Sequence, residues 1–144
     1  MDNIDYETIQ EFLSFSFHYN NMDLLIDRAA KVLKNPIAVF DKNYYTVSYS
    51  DTTDVQDEVW TAGKERGYCL FDYPAMLHGV ESMRGTPLPF QIFDDWGPHR
   101  RRICPLISNS LTIGYLSVLE YYTAFDAVPG EFYDLVAGVL VKEL

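Results

Sequence analysis

The sequence is poor in positive charge. Lys and Arg number 11 against 21 Asp and Glu, which leaves a net charge of −10 over 144 residues. Phosphate backbones are held by clustered Lys and Arg, so the chain is a poor nucleic-acid binder. The same charge argues against docking on an anionic membrane surface. Cysteine is scarce as well, with Cys69 and Cys104 alone. A disulfide scaffold is excluded, and two free thiols are expected in a reducing compartment. No apolar run approaches the roughly 18 residues of a membrane-spanning helix. The start, MDNIDYETIQ, is acidic, where a signal peptide needs a basic start followed by an apolar stretch. A cytoplasmic location is the expectation. Low-complexity tracts and internal repeats are missing, as are a P-loop, a dinucleotide fingerprint and a nucleophile elbow. His18, His78 and His99 fall at no metal-ligand spacing with each other or with cysteine. No catalytic residue, metal or cofactor is assigned.

What is present is core material. Hydrophobic residues make up 48% of the chain and aromatics 15%. That suffices for one domain over residues 1–144 and excludes a disordered chain. Ile9, Phe12, Leu13 and Phe17 form one helical stripe over 5–17. Asn20 or Asn21 then caps a second helix through Met22, Leu25, Ile26, Ala29, Val32 and Leu33. Lys34-Asn35-Pro36 ends it, with Asn tolerating a left-handed turn and Pro barring continuation.

IAVF (37–40) and YYTVSYS (44–50) read as two strands around a DKN turn. Asp54 is the expected cap of a helix through Lys64, with Gly67 as its stop. A further helix over 73–83 and an edge strand over 89–93 follow. RRRICPLIS and LTIGYLSVLE form a hairpin around Ser108-Asn109-Ser110. Within it, Pro105 requires an unpaired edge or a bulge, and Gly114 marks a close approach to the backbone. EFYDLVAGVLVKEL closes the chain as a helix running to its end. The expected fold is therefore α+β: a central antiparallel sheet of about five strands, terminal helices, and a helical insert over one face.

Some of these stretches resemble a known family. NPIAVFDKNYYTVSYS is similar to the first hairpin of PAS and GAF sensor domains, and RRRICPLISNSLTIGYLSVLE looks like the closing hairpin of GAF domains. Cys104-Pro105-Leu106 and Ile113-Gly114-Tyr115-Leu116 carry the second likeness. With LLIDRAAKVLKNP in front, residues 22–144 resemble the N-terminal sensing region of PucR-type bacterial transcription regulators. The resemblance implies a sensor that binds a small metabolite and leaves DNA contact to a helix-turn-helix outside this sequence. The chain is then either a fragment or a stand-alone sensor-like domain.

The candidate ligand-binding residues are Trp60, Tyr68, Phe71, Phe93, Trp96 and Arg102. Aromatics crowd the middle of the chain, and an aromatic cavity with a few polar groups is what a small-molecule site needs. The plainer reading packs those rings on one another as a filled core. Arg100 to Arg102, next to His99, form the one basic cluster, and strand alternation puts Arg101 opposite the other two. Arg102, nearest the apolar run, is the best single partner for an anion; surface ion pairing is the bland alternative. Cys104 beside Pro105 suggests a haem ligand or redox thiol, but its surroundings favour a core residue. The terminal stripes, including the N-terminal helix within 1–20, offer a homodimer interface. The alternatives are a ligand-free dimerisation or interaction module and, ranked last, a thiol-based enzyme.

Overall fold

The computed structural model describes residues 3–51, 54–68, 92–94 and 98–144, with the backbone alone at 3–5 and 92–94. Helix α1 (Asn3–His18) precedes α2 (Met22–Leu33). Strands β1 (Ile37–Asp41) and β2 (Thr46–Tyr49) come next, then α3 (Glu58–Arg66) and β3 (Ile92–Asp94). Strands β4 (Arg101–Ser108) and β5 (Leu111–Leu119) form a long hairpin. A 3₁₀ turn at Phe125–Ala127 leads to α4 (Gly130–Leu140). The five strands lie in the order β2-β1-β5-β4-β3, and every neighbouring pair is antiparallel. The expected α+β architecture is present. The expected helix over 73–83 and the strand positions 89–91 lie outside the described residues.

The sheet separates two cores. Ile37, Val39, Cys104, Leu106, Leu116 and Val118 face the three helices α1, α2 and α4. Ala38, Phe40, Ile103, Tyr115 and Leu119 face the other way, against Tyr44, Val55 and Trp60. Alternate residues of one strand point to opposite faces, so both faces being covered explains why β1 reads as an uninterrupted apolar run. Ile9, Phe12 and Val136 of the terminal stripes are buried in the first core. Leu13, Leu135 and Val139 are half-buried.

Local signals set most boundaries. Asn21 caps α2 by accepting from the Asp23 N–H at 2.8 Å. Gly67, at φ 85°, ends α3. Asn109 and Ser110 both have positive φ (52° and 66°), which suits the two-residue loop of a right-twisted hairpin. At Gly114 a Cβ would fall 2.5 Å from the Phe40 carbonyl oxygen, so this close approach admits glycine alone. Pro105 is paired with Tyr115 in β5. The Arg100 carbonyl accepts from the Glu120 N–H, one residue past β5, so by alternation the Pro105 nitrogen turns toward the β3 side. It lies there beyond the described Ile92–Ile103 pair.

Four boundaries differ from expectation. The cap of α3 is Asp57, whose carboxylate accepts from the Trp60 N–H at 2.9 Å. Asp54 instead accepts from the Tyr122 hydroxyl at 2.6 Å. The left-handed residue ending α2 is Lys34 (φ 59°), not Asn35. The β1–β2 turn extends through Tyr44 (φ 69°), because Asp41 Oδ1 accepts from both the Asn43 and Tyr45 N–H groups. The last α-helix ends at Leu140 and tightens into a 3₁₀ turn over Val141–Glu143.

Asn35 is freed by this shift for another task. It is 2% exposed, and its Oδ1 accepts from the backbone N–H groups of Tyr121, Tyr122 and Thr123 at 3.1, 2.8 and 3.1 Å. Its Nδ2 donates to the Thr123 carbonyl at 2.9 Å. Substituting Asn35→Ala would strand three N–H donors, each costing about 1–3 kcal/mol when buried. Urea denaturation should show a loss of about 3 kcal/mol for this variant. A loss no larger than that of an exposed control such as Lys42→Ala would remove Asn35 from this role.

Candidate functional site

The second face of the sheet is where polar chemistry is buried. Arg101 and Ser117 share it with Ile103 and Leu119, and they are 3% and 1% exposed. Asp57, the cap of α3, is 1% exposed. Its Oδ1 lies 3.8 Å from Arg101 Nη2, and its Oδ2 lies 2.8 Å from His99 Nδ1. In this geometry the imidazole N–H donates to the carboxylate. One carboxylate thus caps a helix and meets a buried guanidinium and a half-buried imidazole. The His99 ring also packs edge-on to Tyr121, 4.8 Å between centroids. Tyr121 in turn accepts from the Gln56 N–H at 3.0 Å, next to Asp57.

Trp60 projects from the first turn of α3 into this face. It is 4% exposed and meets the Tyr49 ring edge-on at 5.1 Å. Its indole Nε1 is buried and has no hydrogen-bond partner among the described residues; the same holds for Thr46 Oγ1. A buried donor without an acceptor costs about 1–3 kcal/mol, so such an atom calls for a reason.

The six sequence candidates separate in space. Trp60 is on the second face. Tyr68 is 43% exposed, bridged to Tyr45 and covered by the Arg66 guanidinium at 5.3 Å. Phe93 pairs with Arg102 in the β3–β4 ladder. Phe71 and Trp96 lie outside the described residues. Arg102 projects on the helix-covered side of the sheet, its guanidinium 3.8 Å from the centroid of the Tyr133 ring. The buried arginine on the Trp60 face is Arg101. Alternation had already set Arg101 opposite Arg102; which of the two shared a face with Trp60 needed the covering layers. Asp57 was legible as an acid at a helix start, but its pairing with Arg101 joins positions distant in sequence.

Cys104 belongs to the first core and is 1% exposed. Burial pushes its thiol from the usual 9.0 up to about 12, against a weaker opposing pull from Arg102. Burial likewise raises Tyr133 from 10.0 to about 12. Among the described residues there is no group of three His, Cys, Asp or Glu side chains suited to a metal ion. No described helix is long and apolar enough to cross a membrane.

Comparison with known proteins places this geometry. No protein-family model matches the sequence, and no curated protein matches it. Among solved structures, the chain is similar to the GAF domain of an Acinetobacter phosphoenolpyruvate-protein phosphotransferase. The TM-score is 0.55 at 12% identity, over 99% of this chain and 93% of that one. The fold is GAF-like.

The raised thiol yields two expectations. Cys104 should resist iodoacetamide at neutral pH in the folded protein and label only on unfolding, read by peptide mass spectrometry. Rapid labelling of Cys104 in the native state would contradict its burial and revive a thiol mechanism. Above pH 9 the unfolded chain releases the Cys104 proton while the folded chain holds it to about 12. The unfolded state then binds fewer protons, so stability falls with rising pH across that window. That alkaline decline should be shallower in Cys104→Ala than in the parent chain.

Proposed function

We propose that this chain is a small-molecule-sensing regulatory domain, working in the cytoplasm as the sensor of a PucR-type transcription regulator. The observation that carries the reading is the Trp60 indole N–H, which is buried and has no acceptor among the described residues, on the sheet face that also buries Arg101 and Asp57. A ligand with a carbonyl or carboxylate oxygen supplies the acceptor this donor lacks, and the surrounding rings supply stacking area. The GAF-like fold and the hairpin resemblances support the assignment. The net charge of −10 assigns DNA contact to another part of such a regulator.

A metabolite screen by thermal shift tests this. A ligand at about 100 times its Kd stabilises the native state by about 2.7 kcal/mol, a rise of several degrees for a domain of this size. The rise should shrink in Trp60→Phe, which removes the donor and keeps an aromatic ring. If no compound raises the melting temperature and a crystal structure shows the second face filled by side chains, the sensing role fails.

The homodimer through the terminal helices is proposed on the half-buried Leu13, Leu135 and Val139. Analytical ultracentrifugation should give twice the 16.6 kDa chain mass. A monomer at micromolar concentration would reject it.

A further inference from the structure

A cleft of about 660 Å³ lies between the later turns of α2, Ser50 and Asp51 after β2, and Tyr122 and Thr123 after β5. Small-molecule sites usually span about 300–1,000 Å³. Trp60, Asp57 and Arg101 are not among its lining residues. The buried polar groups at its base are satisfied within the fold. The Asn35 amide holds residues 121–123, and Ser50 Oγ accepts from the Ile37 N–H at 2.9 Å. What the base offers a ligand is therefore apolar contact, from Ala30 and Pro36. Beside it stands the Tyr122 ring, 51% exposed. Its hydroxyl donates to Asp54 Oδ1 at 2.6 Å, and the Tyr121 ring meets it edge-on at 5.2 Å. A ring held by its hydroxyl and by a neighbouring ring is a fixed platform for stacking.

Charges of both signs border this base. Asp27 Oδ1 accepts from the Asp51 N–H at 2.8 Å, which ties α2 to the segment after β2. Lys31 follows Asp27 by one helical turn, on the same helix face. The Lys31 ammonium and the Asp51 carboxylate are exposed, and neither has an ion pair or side-chain hydrogen bond among the described residues. Lys34 also lines the cleft but is engaged within the fold, so Lys31 is the available cation. Two lysines and two aspartates leave the lining formally neutral. A lone carboxylate entering it meets Asp51 and the repulsion of a chain with net charge −10. A lone amine meets Lys31. A zwitterion is neutral and matches both signs.

We propose that this cleft binds a free aromatic α-amino acid, with its ring between Tyr122 and the Ala30–Pro36 base, its ammonium on Asp51 and its carboxylate on Lys31. It is a second site, lined by none of the residues that carry the sensing role, and stands independently of that role. Exposed ion pairs are individually weak, so the ring supplies most of the affinity and the two charges supply the selectivity.

The test is a ¹⁵N-edited NMR titration with phenylalanine, glycine, 2-phenylethylamine and 3-phenylpropanoate as separate probes. The last three each lack one part of the first: the ring, the carboxylate or the ammonium. Phenylalanine should shift the amide signals of Lys31, Asp51 and Thr123 at millimolar concentration, and glycine should not. The amine and the acid should each bind about threefold more weakly than phenylalanine. Lys31→Gln should abolish the preference for phenylalanine over the amine, and Asp51→Asn the preference over the acid. Both positions are exposed, so both variants should fold. Lys42→Gln, an exposed lysine in the β1–β2 turn, should leave both preferences unchanged. Glycine binding as tightly as phenylalanine would overturn the proposal. So would preferences that survive in Lys31→Gln and Asp51→Asn, or a phenylalanine titration that leaves these amides unmoved.

Discussion

One buried amide ties three parts of the chain together. Asn35 stands between the end of α2 and the start of β1, and it gathers the N–H groups of residues 121–123 as the chain leaves β5. Beside it the Leu119 N–H donates to the Pro36 carbonyl at 3.0 Å, and Thr123 Oγ1 donates to the Lys34 carbonyl at 3.1 Å. A polar group at such a depth is tolerated only when its hydrogen bonds are made, and here both ends of the amide are engaged. The register of β1 against β5, the angle at which α2 meets the sheet, and the path from β5 toward α4 all depend on this junction.

From that junction the sheet presents two unlike faces. One is packed by helices with almost wholly apolar side chains. The other buries Asp57, Arg101 and Ser117 among aromatic rings. Removing charged groups from water is costly, and the pairing of Asp57 with Arg101 and His99 offsets that cost in part. A single carboxylate therefore couples the start of α3, the loop at His99 and the first residue of β4. Trp60 belongs to the same unit through its backbone N–H, which donates to Asp57 Oδ1.

The α+β order, the Asn21 cap, the Gly67 stop, the Asn109–Ser110 turn and the crowding at Gly114 were legible because each depends on a few adjacent residues. The errors have a common form. Asp54 and Asp57 are both good caps; Asp57 takes the cap, and Asp54 accepts from the hydroxyl of Tyr122, just past β5. Asn35 looked like the natural left-handed residue, but its side chain had a stronger claim elsewhere and the strained turn fell to Lys34. Among the candidate site residues, Trp60 was named from aromatic density, and its burial is what the structure adds. Arg102 was named as the anion partner from its place next to the apolar run; that Arg101 is the arginine on the Trp60 face was not legible, because alternation gives relative and not absolute orientation.

The sequence by itself determined the excess of acidic over basic residues, the abundance of aromatic core material, and the position of the closing hairpin with its turn and its obligatory glycine. These follow from composition and from steric rules that act within a few residues. Tertiary structure alone decided which face each strand turned toward the helices, which of three arginines was buried, and which acid met it. Those outcomes hinge on contacts between segments far apart in the chain, where burial and hydrogen-bond satisfaction outweigh the local preference of any one residue.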